Sequence, residues 1–148
     1  MRNFIGNLAF IAIMAGPVSA EGMITYTTDD SFDDVVFGLE NAILDAGLVI
    51  DGLSHVGEML ARTKEDVGSE VDLYPQADVY SFCSAALSRK VMEADPTNIR
   101  FCPYDIFVAI MPDNPDQVTV GFEVYPDGPM KEVEALLDSI ARAAVGQP

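Results

Sequence analysis

The order of strand-like and helix-like segments, which runs from Ile24 to Ala144 without a linker, internal repeat or low-complexity tract, constrains this chain more than any other feature. A β-prone stretch, Ile24-Thr25-Tyr26-Thr27-Thr28, is followed by Ser31, a helix-capping residue with Asp33 and Asp34 in the turn it opens. Val35, Leu39 and Ile43 then recur at helical spacing and Gly47 ends the run, so this helix lays one apolar face on a core. Leu48 to Leu53 reads as a strand and Glu58 to Val67 as a short helix stopped by Gly68. Asp78 to Phe82 reads as a strand after the Tyr74-Pro75-Gln76 turn. A helix from Ser84 to Ala94, closed by Asp95-Pro96, leads through an irregular return, Thr97 to Pro103, to strands at Tyr104–Met111 and Val118–Tyr125. The loop from Pro112 to Gln117 makes those two an antiparallel hairpin. Pro129 suits the first turn of a last helix, along which Val133, Leu136, Leu137, Ile140 and Ala144 form one stripe. The order β-α-β-α-β-α-β-β-α predicts an α+β fold. It is a two-layer sandwich of about five strands, in a mixed, mainly antiparallel sheet with helices packed on it.

The residues before Ile24 bear on location. Arg2 stands ahead of an apolar run from Phe4 to Ala15, and Gly16-Pro17 breaks that run before Val18-Ser19-Ala20. These are the charged start, short apolar middle and small-residue end of a secretory signal. The expectation is a cleaved signal over residues 1–20 and a single domain over residues 21–148, exported to an oxidising compartment of the periplasmic kind. The apolar run is too short to read as a permanent anchor. The chain of 148 residues carries 24 acidic and 8 basic residues, a net charge of −16, and all of the basic residues except Arg2 lie beyond residue 20. Such a surplus repels phosphate backbones and anionic headgroups, which argues against nucleic acid and against stable membrane association after cleavage. A basic periplasmic protein or a small cationic ligand suits it better, and solubility alone also accounts for it.

Cys83 and Cys102 are the only cysteines, and in an oxidising compartment a lone pair invites a disulfide. Cys83 falls where a strand hands over to a helix, a setting that favours a thiolate, and Cys102 lies just before Pro103 and the next strand. A structural bond, a redox-active or modified pair with Cys83 attacking and Cys102 resolving, a metal site and two separate thiols all remain open. The spacing is far from C-x-x-C. The block around these cysteines runs Tyr80-Ser81-Phe82-Cys83-Ser84-Ala85-Ala86-Leu87-Ser88-Arg89-Lys90, then Met92-Glu93-Ala94-Asp95-Pro96 and Asn98-Ile99-Arg100-Phe101-Cys102-Pro103-Tyr104. Together with Ser31-Phe32-Asp33 and His55-Val56-Gly57-Glu58-Met59-Leu60, it resembles exported members of the family catalogued as domain of unknown function 302. The similarity runs from about Ile24 to Val124. The resemblance implies a compact α+β fold with a predominantly antiparallel sheet, often a homodimer, and no established activity. Many members carry an Asn-Pro step before the third helix, where this chain has Cys83-Ser84, so a site at that step does not carry over.

Other constellations are weaker. His55, the only histidine, and Met59 fall one helical turn apart, and with Cys83 and Cys102 they would make a soft copper site. The plainer reading is a polar strand-end histidine and a core methionine. Asp29, Asp30, Asp33 and Asp34 lack the spacing of a calcium loop and suit a helix N-terminus. Ser81, Ser84 and Ser88 lie around Cys83 without a G-x-S-x-G elbow, and a triad would have to use His55 as base. Arg89, Lys90 and Arg100 could hold an anionic ligand or stabilise a thiolate, or simply pair with neighbouring acids. No phosphate loop or dinucleotide fingerprint occurs, and no cofactor is implied. The reading is a small, exported, non-enzymatic binding or accessory protein of unknown ligand with a Cys83–Cys102 bond. The alternatives are a periplasmic thiol protein in redox or sulfur handling, and a copper-binding protein.

Overall fold

A computed structural model of the protein describes residues 18–20 and 22–147. The strands are β1 Val18–Ala20, β2 Met23–Thr28, β3 Val49–Ser54, β4 Ala77–Cys83, β5 Tyr104–Ile110 and β6 Val118–Glu123. The helices are α1 Phe32–Asp45, α2 Val56–Thr63, α3 Ala85–Ala94 and α4 Met130–Ala144, and a 3-10 helix at Pro96–Phe101 forms the return to β5. Most of the expected signal falls on residues 1–17, outside the described residues; its last residues, Val18–Ala20, pair with β2.

The strand order is β1-β2-β6-β5-β4-β3, and every pairing among the described strands is antiparallel. The early alternation of strands and helices suggested some parallel neighbours. Instead α1 carries the chain from β2 to the far edge at β3, and β6, β5 and β4 fill the space between the two strands it connects. β2 and β3 therefore run in the same direction without touching. The sheet is antiparallel rather than mixed, within the α+β architecture the sequence predicts.

Period-2 alternation decides which face is covered. Tyr80 and Phe82 of β4, Tyr104, Ile106 and Val108 of β5, and Val120 and Phe122 of β6 are buried against Leu39 and Ile43 of α1 and Leu137 and Ile140 of α4. The spacing read from Val35, Leu39 and Ile43 is the buried stripe of α1, and Ser31 caps that helix by accepting a hydrogen bond from the Asp34 amide at 3.2 Å. α1 and α4 meet closely at Gly38, where a Cβ would lie 2.9 Å from the Ala144 carbonyl oxygen. α2 begins earlier than its sequence suggests, at Val56, and packs through Gly57 on the backbone at Gln76–Ala77. No helix of the described residues is long and apolar enough to cross a membrane.

Candidate functional site

The alternate positions of the central strands, Val79 and Ser81 of β4, Asp105 and Phe107 of β5, and Gly121 and Glu123 of β6, lie on the face opposite the buried core. Phe107 pairs with Gly121, and Gly121 in turn pairs with Thr25 of β2. A Cβ at position 121 would lie 2.5 Å from Phe107 Cζ and 2.9 Å from Thr25 Cγ2, so the phenyl ring rests across the glycine backbone. A glycine inside a strand commonly marks such a close approach. Beside this ring opens a cleft of about 490 Å³, walled by Arg100, Phe101, Asp105, Phe107, Glu123 and Tyr125. A second hollow of about 270 Å³ lies against the same ring, between Met23, Tyr74, Val79 and Met111.

The return before β5 forms one wall of the cleft. Asp95 caps it by accepting from the Thr97 amide at 2.9 Å, an interaction that holds the Asp95 carboxyl below the usual carboxylate range. The buried Asn98 donates its side-chain amide to the Val91 carbonyl at 2.9 Å. The sulfurs of Cys83 and Cys102 lie at disulfide distance, with their Cα atoms 6.5 Å apart, inside the span a disulfide bridges. Cys102 immediately follows Arg100 and Phe101, so the pair ties the wall that carries those side chains to the end of β4. Phe101 packs edge-on against Tyr125 with ring centroids 5.3 Å apart, and the Arg100 guanidinium lies 4.5 Å from the Phe101 centroid.

The electrostatics of the cleft are unbalanced. Beyond the Phe107–Gly121 pair, Asp105 of β5 and Glu123 of β6 both line the cleft, and the charges of both act on Tyr125. Asp105 accepts a hydrogen bond from the Ser81 hydroxyl. Among the described residues neither carboxylate has a cationic partner, and Arg100 has no carboxylate within ion-pair distance. Tyr125 is only 2% exposed. Burial raises its hydroxyl well above the ordinary tyrosine pKa, and the negative charges of Glu123 and Asp105 add to the shift. No described group hydrogen-bonds that hydroxyl. Since no fully buried side-chain oxygen or nitrogen among the described residues lacks a partner, the Tyr125 hydroxyl meets the open space of the cleft it lines.

The other residues singled out in the sequence lie apart from this cleft. Arg89 is 80% exposed and pairs along α3 with Glu93 at 2.8 Å, the ordinary ion-pair role; Lys90 bridges to Glu132 of α4 at 2.6 Å. Arg89 therefore neither faces Cys83 nor lines the cleft. His55 caps the start of α2 and its Nδ1 lies 2.8 Å from Asp78 Oδ1, near the beginning of β4, whereas Cys83 ends that strand. The separation is roughly 17 Å at strand rise. The copper set of Cys83, Cys102, His55 and Met59 is thus not assembled, and no metal-ligand cluster occurs among the described residues. The same separation denies Cys83 and the neighbouring serines a histidine base. Ser84 instead caps α3 through the Leu87 amide at 3.3 Å, and Ser88 bonds the Tyr104 hydroxyl at 2.9 Å. Asp29 accepts from Gln117 at 2.7 Å and Asp30 accepts from Thr28 at 2.8 Å, while Asp33 and Asp34 lie in the first turn of α1.

Of the residues in and around the cleft, Arg100 and the cysteines stand out in the sequence, whereas Asp105, Phe107, Gly121, Glu123 and Tyr125 do not. A signal existed in β5: Phe107 is apolar on the face opposite Tyr104, Ile106 and Val108, a break in strict alternation. Gly121 inside an apolar strand was the second.

Fold and cleft together define a small α+β protein with one helix-covered sheet face and one open face bearing a walled cleft. The chain belongs to the family described as "Domain of unknown function DUF302", whose model matches residues 24–125. It is similar to the crystal structure of the uncharacterized conserved protein DUF302 from Bacillus stearothermophilus, with a TM-score of 0.60 and 14% identity over 86% of this chain and 95% of that one. At that identity the likeness extends to the fold alone. No curated protein matches the chain.

Proposed function

We propose that the protein is an exported, non-enzymatic binding or accessory module whose ligand occupies the open-face cleft. In this reading the Cys83–Cys102 pair is a structural staple that fixes one cleft wall. The observation that carries it is the buried Tyr125 with its unpartnered hydroxyl at a cleft of about 490 Å³, within the size range of small-molecule sites. Export is supported by the sequence pattern of residues 1–20 and by the two sulfurs at disulfide distance. Native mass spectrometry of protein purified from its native compartment tests both parts. The expected species begins at Glu21 and carries a small molecule that is absent from a cleft-filling Val79→Trp variant. A retained N-terminus would remove export, and an equal load on both proteins would remove the cleft.

Redox or sulfur handling through Cys83 is the competing reading, favoured by the position of Cys83 one residue before the cap of α3. A reduction potential below about −300 mV marks a structural bond and rules this reading out, whereas ready reduction and alkylation of Cys83 in the folded protein would establish it.

A further inference from the structure

Three charged side chains, Arg100, Asp105 and Glu123, line the cleft without an ion pair among the described residues, and together they specify a ligand. Arg100 has no carboxylate within ion-pair distance among the described residues and acts on Asp95 only at longer range, although the chain carries three acidic residues for each basic one. Asp105 and Glu123 both line the same cleft, and neither has a cationic partner among the described residues. The body of the cleft is apolar and aromatic, from Phe101, Phe107 and the ring of Tyr125.

From these features we infer that the cleft binds a small zwitterion of the amino-acid kind, with a primary ammonium group, a carboxylate and an apolar or aromatic body. The ammonium group is held by the carboxylates of Asp105 and Glu123, which both line the cleft, and it can also meet the aromatic faces. The carboxylate takes the Arg100 fork, which suits planar oxygen pairs, and the Tyr125 hydroxyl supplies a neutral donor. The apolar body lies on Phe107. A purely anionic ligand would meet the two carboxylates unshielded, and a purely cationic one would leave Arg100 unused.

This inference rests on the reading of the cleft as the binding site, and titration calorimetry can separate the two. The probes are phenylalanine, phenethylamine and 3-phenylpropionate, which share a body and differ in charge. Phenylalanine is expected to bind about tenfold or more tighter than either of the others, as the loss of a charge-assisted contact implies. Arg100→Gln is expected to cost phenylalanine about tenfold and to leave phenethylamine unchanged, while Glu123→Gln weakens phenylalanine and phenethylamine alike. Val79→Trp, with Met23→Trp as a second cleft-filling variant in case the first fails to fold, abolishes binding of all three. Equal affinities for the three probes, or tightest binding by a singly charged one, overturn the zwitterion assignment while leaving a cleft ligand in place, provided the filling variants block that binding. Binding that folded filling variants do not alter, or no binding by any probe, overturns the assignment. Only an unchanged natural small-molecule load on the filling variants would also overturn the cleft itself.

Discussion

Replacing both cysteines, as Cys83→Ser with Cys102→Ser, separates the two contributions that hold the return against the sheet. The two cysteines lie at disulfide distance and 19 residues apart in sequence, and a bond closing a loop of that length restricts the unfolded chain by about 3 kcal/mol at 25 °C in the chain-entropy model. For a domain of this size that corresponds to a fall in Tm of roughly 10 °C. The native conformation has other ties: the Asn98–Val91 hydrogen bond, the Asp95 cap and the Phe101–Tyr125 ring contact remain when the sulfurs are removed. The double variant is therefore expected to fold, with unchanged far-UV circular dichroism and a lower urea midpoint. Wild type fully reduced in strong thiol should show a similar loss. Urea unfolding of the oxidised protein, the reduced protein and the variant measures all three terms together. A loss below about 1 kcal/mol, or a variant that is unfolded in buffer, would refute the assignment of the bond to unfolded-state restriction.

Other outcomes follow from close approaches and charge. Gly38→Ala ordinarily gains helix stability, yet here the new Cβ meets the Ala144 carbonyl at 2.9 Å, a backbone atom that cannot swing away. A net loss of about 1–3 kcal/mol in urea unfolding is expected, and a stabilised variant would show that α1 and α4 are further apart. Gly121→Ala pushes the Phe107 ring off its seat, so stability should fall by roughly 1–2 kcal/mol and phenylalanine affinity should change. An unchanged urea midpoint with unchanged binding would place the ring elsewhere. His55 is raised above its ordinary value of 6.5, first by its hydrogen bond to Asp78 and then by the charge of that carboxylate. Because the folded value is the higher one, this contribution is full below about pH 6.5 and disappears as pH rises through the folded pKa. The stability gap between wild type and His55→Gln should therefore narrow with rising pH, and a gap that widens would contradict the Asp78 pairing.

Much of the fold could be read from periodicity because one face of each main element is buried in a single core. Val35, Leu39 and Ile43 predicted the buried stripe of α1, and the Ser31 and Ser84 caps were placed by their chemistry. The direction of the strands could not be read in the same way. A crossover through a helix looks alike in sequence whether it returns to a neighbouring strand or to the far edge, and here it reaches the far edge at β3. The cysteine block drew attention to Arg100, which lines the cleft, and to Cys83 and Cys102, whose sulfurs lie at disulfide distance beside it. Asp105, Glu123 and Tyr125 are dispersed in sequence, and only the fold brings them to one cleft. The copper set failed for the converse reason: His55 and Cys83 look close in sequence, but β4 holds them at its two ends.

Amide shift mapping of the oxidised, 15N-labelled protein titrated with phenylalanine is the most direct test of the cleft as a binding site. Saturable shifts are expected to concentrate at Arg100 to Phe107 and at Gly121 to Tyr125, on the return and the two strands that wall the cleft. Saturable shifts centred elsewhere, as at His55 and α2, or no shifts at all, would contradict this expectation.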